Sequence, residues 1–365
     1  MKKVVFTIAI ALIAPLLANK NFISAQCKES IFQISKSELA EKINLNTPII
    51  VKNKLGEVLP SQLTYNGNLV VLVPQKCGKI YIGNGESFVD TTTCGAHYPE
   101  RLDDIAWENN LMAYRAYGPA LQRSGERAYG YDIWTKSTSK PVVKERYYNH
   151  LFKGISYHED HGNGMDVYAV GPTLGGGTAA PFIDSTILFP YCWKSYEILD
   201  NGPIRFTVRL EYPPFTIGND TITEIRTITL DHGSYLNHTT IEYKGATKAI
   251  PIVAGIVIHS TDPNSYYSDK KQRYITVQDP TQSSGNGVIF VGITAPKEFQ
   301  QTLLHQEHIL ALDTIAPYEK FEYLWGASWS NCGMDSNTWN SYMKEQFKSL
   351  QKSPKIKIEF ITKQQ

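Results

Sequence analysis

Charge of one sign, long apolar runs and nucleotide motifs are all scarce in this chain. Its 36 basic and 35 acidic residues give a formal charge of +1, which supplies no electrostatic footprint for nucleic acid. After the first 25 residues no apolar run is long enough to suggest a membrane span. There is no GxSxG, no clustered CxxC, and the glycines of "TLGGG" are followed by neither a Lys-Ser/Thr pair nor a Rossmann acidic position, which excludes a nucleotide site. Solenoid-type repeats and low-complexity tracts are absent too. Methionine and cysteine number only five each, whereas tyrosine reaches 22 and tryptophan 6, an aromatic bias that suits half-buried pleated surfaces and also sugar-stacking faces.

What is present begins with "MKKVVFTIAIALIAPLLANKNFISAQC", two lysines, an apolar run from Val4 to Ala18 and small residues before Gln26. The pattern predicts a signal peptide over residues 1–25 and a periplasmic or secreted protein, with Cys27 as an alternative lipid anchor and no other membrane attachment. In that oxidising setting Cys77 and Cys94 are the preferred disulfide pair, while Cys192 and Cys332 read as buried or free thiols.

Short apolar runs broken by Gly, Pro and Asn predict a small N-terminal β domain over residues 26–95, and "TTTCGAHYPERLDD" reads as a linker. From residue 96 to 365, segments such as "PIRFTVRLEY" and "DTITEIRTITLDHGSYLNHTTIEY" alternate or run apolar over strand lengths. Helical periodicity is clear only in residues 336–352, behind a Ser or Asn cap. The fold class is therefore all-β, a large antiparallel β-sandwich behind a small β domain.

Candidate chemistry concentrates in "GISYHEDHGNGMDVYAV", residues 154–170. An HExxH zinc helix is excluded by residue order and by Gly162 and Gly164, and the acids are not spaced as EF-hand ligands. In an extended segment His158 and Asp160 share a face, the geometry of a carboxylate-oriented base, whereas Glu159 and His161 read as solvated. In "LMAYRAYGP" alternation separates Tyr114 from Arg115 and Tyr117; a mid-strand arginine needs a partner, either internal (Glu108 or Asp132) or a substrate carboxylate. His259 ends the apolar strand "VAGIVIHS", and Tyr323, Trp325 and Trp329 offer a stacking wall.

These segments, with "ERLDDIAWENNLMAYRAYGPALQ", "YGYDIWTK" and the later "GASWS", together resemble an uncharacterised-domain family of exported bacterial proteins found among enzymes that dismantle uronate-rich polysaccharides such as pectin and ulvan. One member is described as an ulvan oligosaccharide dehydratase, and the family looks like the galactose-mutarotase-type supersandwich. The resemblance covers Arg115, Tyr157, His158, Asp160, Asp166 and His259 and implies β-elimination, by a dehydratase or lyase, from an acidic oligosaccharide to give an unsaturated uronate. On chemical grounds His158 is then the base, Tyr157 the proton donor and Arg115 the carboxylate-neutralising group, with His259 as rival base and Tyr114, Tyr147 or Tyr148 as rival acids. Asp160, Tyr114, Tyr323, Trp325 and Trp329 are the expected substrate contacts. No cofactor is required; a divalent cation, if used, would take Asp160 and Asp166. A mutarotase or epimerase, or a non-catalytic glycan-binding protein, are the alternative readings.

Overall fold

The structure, a computed structural model, describes residues 29–74, 77–351 and 356–361. The expected leader and Cys27 lie outside the described residues. Among the described residues no helix is long and apolar enough to cross a membrane.

The protein is an all-β antiparallel sandwich, as its strand periodicity predicts. A nine-stranded sheet runs from Ser195–Asn201 through Arg205–Glu211, Asp220–Asp231, Leu236–Lys244, Lys320–Trp329, Ile289–Thr294 and Tyr274–Asp279 to Tyr266–Ser268, with Phe215–Ile217 paired at one side. Residues 220–231 alternate buried and half-buried along their length, the signature of a strand with one face on the core. A five-stranded sheet contains Gly176–Ile183, Ile250–Val257 and His308–Ile315. A four-stranded sheet orders Asp132–Thr135, Met112–Ala116, Asp104–Glu108 and Cys94–Tyr98. Side chains of all three sheets meet in one hydrophobic core, in which Trp107, Ile133, Ile256, Ile293 and Trp325 are packed together.

Two smaller sheets form the N-terminal unit around Ile34, Leu39, Val51, Val71 and Ile82. This unit is not contiguous in sequence, because the strand Lys357–Phe360 returns from the far end of the chain to pair in parallel with Lys79–Asn84. The segment read as a linker contains the strand Cys94–Tyr98, already part of the four-stranded sheet. The expected Cys77–Cys94 disulfide is corrected: all four described cysteines are free, Cys77 beside the N-terminal core and Cys94 on that strand, opposite Glu108. Cys192 and Cys332 are buried thiols, as expected.

The helix Ser336–Leu350 forms where its periodicity placed it, although the cap is Asp335, whose carboxylate accepts the Thr338 N–H at 2.7 Å. A second helix, Val143–Lys153, carried no such signal, and its first residues lack a capping side chain of their own. Its cap comes from another strand. Glu108 accepts the N–H groups of Val142 and Val143 at 2.9 and 2.8 Å. The same carboxylate pairs with Lys136 at 2.5 Å, and that ammonium also donates to the Asn109 carbonyl at 2.6 Å. Both side chains are buried, so each ion depends on the other for its solvation. Glu108→Ala is therefore expected to cost about 3–5 kcal/mol by leaving Lys136 buried and unpaired. In urea unfolding, a Glu108→Leu/Lys136→Met double variant should recover only part of that loss, the remainder being the lost helix cap, typically about 1 kcal/mol.

Candidate functional site

Alternation along the four-stranded sheet divides its residues between two environments. Ile105, Trp107, Tyr114, Ala116 and Ile133 face the shared core. Asp104, Glu108, Arg115, Asp132 and Trp134 take the other face, since Arg115 pairs with Ala106 on one neighbouring strand and with Asp132 on the other. Helix Val143–Lys153 and the turn after it cover this face, with Val143, Tyr147 and Tyr157 packed against Ala106, Ala113 and Trp134.

Arg115 lies at the centre of this layer and is buried. Its guanidinium bonds the carboxylate of Asp132, donates to Asp166 Oδ2 at 3.0 Å and to Tyr117 Oη at 3.2 Å, and approaches Asp104 Oδ2 to 3.6 Å. The expectation that Arg115 reads a substrate carboxylate is thereby corrected, because its charge is already committed to internal acids. Of the two internal partners considered, Asp132 is used and Glu108 is taken by Lys136. One guanidinium serves three carboxylates, and burial, opposed by Arg115, holds Asp104 and Asp166 above the usual carboxylate range.

The segment 157–166 begins and ends on this cluster. Asp166 N–H donates to the Tyr157 carbonyl at 2.9 Å and closes the loop. Gly164 has φ +95° and passes so close to Thr135 that a Cβ would lie 2.3 Å from its carbonyl oxygen, so only glycine fits there. Asp160 does not orient His158, which corrects the expected pairing. Its carboxylate instead accepts the N–H groups of Gly162 and Gly164 at 2.8 and 2.9 Å and shapes the turn. His158 is fixed by Asp166, whose backbone carbonyl accepts from Nδ1 at 2.9 Å, with the Asp166 carboxylate at 3.7 Å. A carbonyl only accepts, so Nδ1 carries a proton and Nε2 is the ring nitrogen left free of this bond. The His158 side chain is 52 % exposed.

Tyr157 and His158 lie in a turn, not on a regular strand, and so their rings sit side by side with centroids 4.6 Å apart. Arg101 Nε donates to Tyr157 Oη at 3.1 Å, and Arg101 is only half-buried. His150, in the last turn of helix Val143–Lys153, stacks on Tyr157 at 4.0 Å and meets His158 edge-on at 6.1 Å. Sequence reasoning missed Arg101 and His150. Both sit in segments without chemical pattern, and only the packing of the helix over the sheet brings them to Tyr157.

His259 belongs to a separate contact set. Its Nδ1 bonds Asp279 Oδ2 at 2.5 Å, Asp279 in turn accepts Thr281 N–H at 2.8 Å, and the ring stands edge-on to Tyr168 at 5.8 Å. Of the two candidate bases, His259 is thus the one bonded directly to a carboxylate. Tyr168 follows Asp166 by two residues, so one segment serves both sets.

The proposed aromatic contacts are corrected. Tyr114, Tyr323, Trp325 and Trp329 are buried in the core and offer no face to a ligand. Tyr114 Oη donates to the Tyr235 carbonyl at 2.8 Å, Trp325 stacks on Tyr131 at 4.1 Å, and Trp329 Nε1 donates to the Asn286 carbonyl at 2.7 Å. Tyr147, a rival acid, is buried with its hydroxyl given to Asp104 at 3.1 Å, while Tyr148 is exposed. Asp160 and Asp166 do not converge on a common point: one shapes the turn and the other pairs with Arg115. Among the described residues no group of three or more His, Cys, Asp or Glu is arranged to hold a metal ion.

An all-β sandwich carrying a turn-borne Tyr-His pair over a buried Arg–Asp cluster is the class of molecule these observations define. The chain belongs to the family described as Domain of unknown function (DUF4861), whose model matches residues 74–356. It is 25% identical over 358 residues to a Formosa agariphila protein named Uncharacterized protein P7, across 93% of this chain and 88% of that one. Among solved structures it is similar to an active YidC insertase, with a TM-score of 0.39 and 9% identity over 73% of this chain and 48% of that one. A putative kojibiose phosphorylase from human microbiome gives a TM-score of 0.37 and 8% identity over 72% of this chain and 37% of that one. The chain thus spans less than half the length of either solved chain.

The Arg115 cluster carries its own prediction. Arg115→Gln leaves three buried acids without the cation they share and should lower unfolding free energy by about 3–5 kcal/mol, measured by urea denaturation. An unchanged urea midpoint would mean that the cluster does not hold the covering helix and turn in place.

Proposed function

We propose that this protein is a carbon–oxygen lyase, an oligosaccharide dehydratase or polysaccharide lyase acting by β-elimination on uronic-acid-containing oligosaccharides. The observation that carries the reading is the juxtaposition of Tyr157 and His158 in one turn, with the Arg101 guanidinium on the phenol oxygen. The resemblance of the surrounding motifs to a family with an ulvan oligosaccharide dehydratase supports the same substrate class, and a leader sequence at residues 1–25 suits work outside the cytoplasm.

Elimination needs three groups at once. His158, held through Nδ1 by the Asp166 carbonyl, removes the C5 proton with Nε2 in its neutral form. Arg101 receives the uronate carboxylate and neutralises the charge that develops as the C5–H electron pair moves toward it; it takes the place first assigned to Arg115. Those electrons form the C4–C5 double bond as the C4–O bond breaks, and Tyr157, buried in the free protein, must open toward Arg101 for its Oη–H to protonate the departing oxygen. Water leaves if C4 carries a hydroxyl, and a sugar alcohol leaves if it carries a glycosidic oxygen. No step calls for a redox cofactor or a metal. Arg115 becomes a positioning residue, which holds Asp166 and through its carbonyl the His158 ring.

His259 is the rival base, since Asp279 gives it the closer carboxylate partner. Replacement separates the two. His158→Ala should lower turnover of a uronate oligosaccharide at least ~100-fold, followed by ultraviolet absorbance of the unsaturated product, while His259→Ala has the smaller effect. Near-normal turnover by a folded His158→Ala variant would transfer the base role to His259. Carboxyl-reduced substrate should not be turned over, and equal turnover of charged and reduced forms would sink the elimination reading.

A further inference from the structure

Around the Tyr157 phenol the structure gathers more nitrogen groups than a Tyr-His pair requires. Arg101 approaches from the turn at Pro99–Arg101 and bonds the phenol oxygen. His158 lies against the ring from the following residue, and His150 covers it from the helix. The three arrive from three different elements, which argues against an accident of local sequence. Among the described residues neither ring nitrogen of His150 bonds a protein group, and its contacts here are the stack on Tyr157 and the edge of His158. The acids nearby are committed elsewhere, Asp104, Asp132 and Asp166 to Arg115 and Asp160 to the glycine turn. Among the described residues no carboxylate is bonded to Arg101 or His150, although that of Asp166 stands 3.7 Å from His158 Nδ1.

We propose that Arg101 and His150 form one cradle, beside His158, for the carboxylate of an acidic sugar, and that His150 takes up a proton when the carboxylate enters. This rests on the uronate reading of the same site but adds a residue and a linkage to it. The ionisable groups acting on His150 are His158, Arg101 and Arg115, and none of them is an acid. Burial, reinforced by those three, keeps its pKa below that of an ordinary imidazole, so the empty site holds His150 neutral near neutral pH. A bound carboxylate opposes the cations and favours the imidazolium. The sign follows directly. If the liganded protein holds more protons than the free protein, affinity for the anion rises as pH falls through the window between the two states of His150 and levels off outside it.

The experiment is calorimetric titration of the full chain with glucuronate, and with glucose as its uncharged counterpart, in buffers of different ionisation heat between about pH 6 and pH 8. In the wild type, glucuronate should bind with net uptake approaching one proton and lose affinity toward a limit of about tenfold per pH unit on the alkaline side, while glucose should not bind. His150→Gln should bind glucuronate with no uptake from that residue and a flatter pH dependence. His150→Phe, which keeps a ring on Tyr157, should behave like His150→Gln if charge is what matters. Glucuronate binding with no proton uptake, uptake unchanged in both His150 variants, or no glucuronate binding at all would each overturn the proposal. Proton-linked binding without any unsaturated product from uronate oligosaccharides would leave the cradle standing and remove the elimination. Elimination without proton uptake would do the reverse.

Discussion

A buried guanidinium cannot be left unpaired, and the candidate site is arranged around that constraint. Arg115 comes from the middle of one strand, yet its partners come from a preceding strand, a following strand and a segment some fifty positions away. Desolvating one cation and several acids together is costly, and the cost is offset only when all of them are held within bonding distance in the folded state. The last of these partners, Asp166, is also the residue whose carbonyl fixes His158. A structural ion cluster and a surface imidazole thereby share one backbone unit. Displacement of Asp166 would disturb both.

The layer over the cluster depends on a second buried pair. An eleven-residue helix is marginal in water, and Val143–Lys153 has no capping side chain of its own. It is held by Glu108, which caps its N-terminus and neutralises Lys136 with the same carboxylate. At the other end Gly154, with φ +69°, turns the chain out of the helix and into the segment that carries Tyr157 and His158. His150, one turn before that glycine, is set over the phenol by the same docking. One sheet thus presents apolar residues to the sandwich core and buried charge to a helical cover, and the polar side is where chemistry is available.

The two candidate bases are held differently. His158 gives its proton to a backbone carbonyl and stands half-exposed, whereas His259 is oriented by the buried carboxylate of Asp279 beside the buried Tyr168. The first arrangement leaves an exposed imidazole edge at a surface that also carries Arg101. The second encloses its phenol, whose hydroxyl has no hydrogen-bond partner among the described residues, and burial, aided by Asp279 and Asp132, keeps that hydroxyl protonated well beyond the ordinary tyrosine range. Access and a nearby cation favour the turn as the place where an acidic ligand would be handled.

The β class, the strand-rich body and the helix Ser336–Leu350 were legible in the sequence because each depends on periodicity, a local property that burial of one face imposes. The 157–168 segment stood out for a similar reason, since clustered ionisable residues beside glycines need no partner to be noticed. Alternation also placed Arg115 and Tyr114 on opposite faces. It could not say which face was covered by core and which by charge, so Tyr114, Tyr323, Trp325 and Trp329 were assigned to a ligand when they pack inside. Partner identity was decided by tertiary structure alone. That Asp166 and not Asp160 fixes His158, that Glu108 caps a distant helix, and that Arg101 and His150 meet at Tyr157 all depend on which strands are neighbours. Strand neighbours are set by the burial of the whole sandwich, and no short window of residues contains that information.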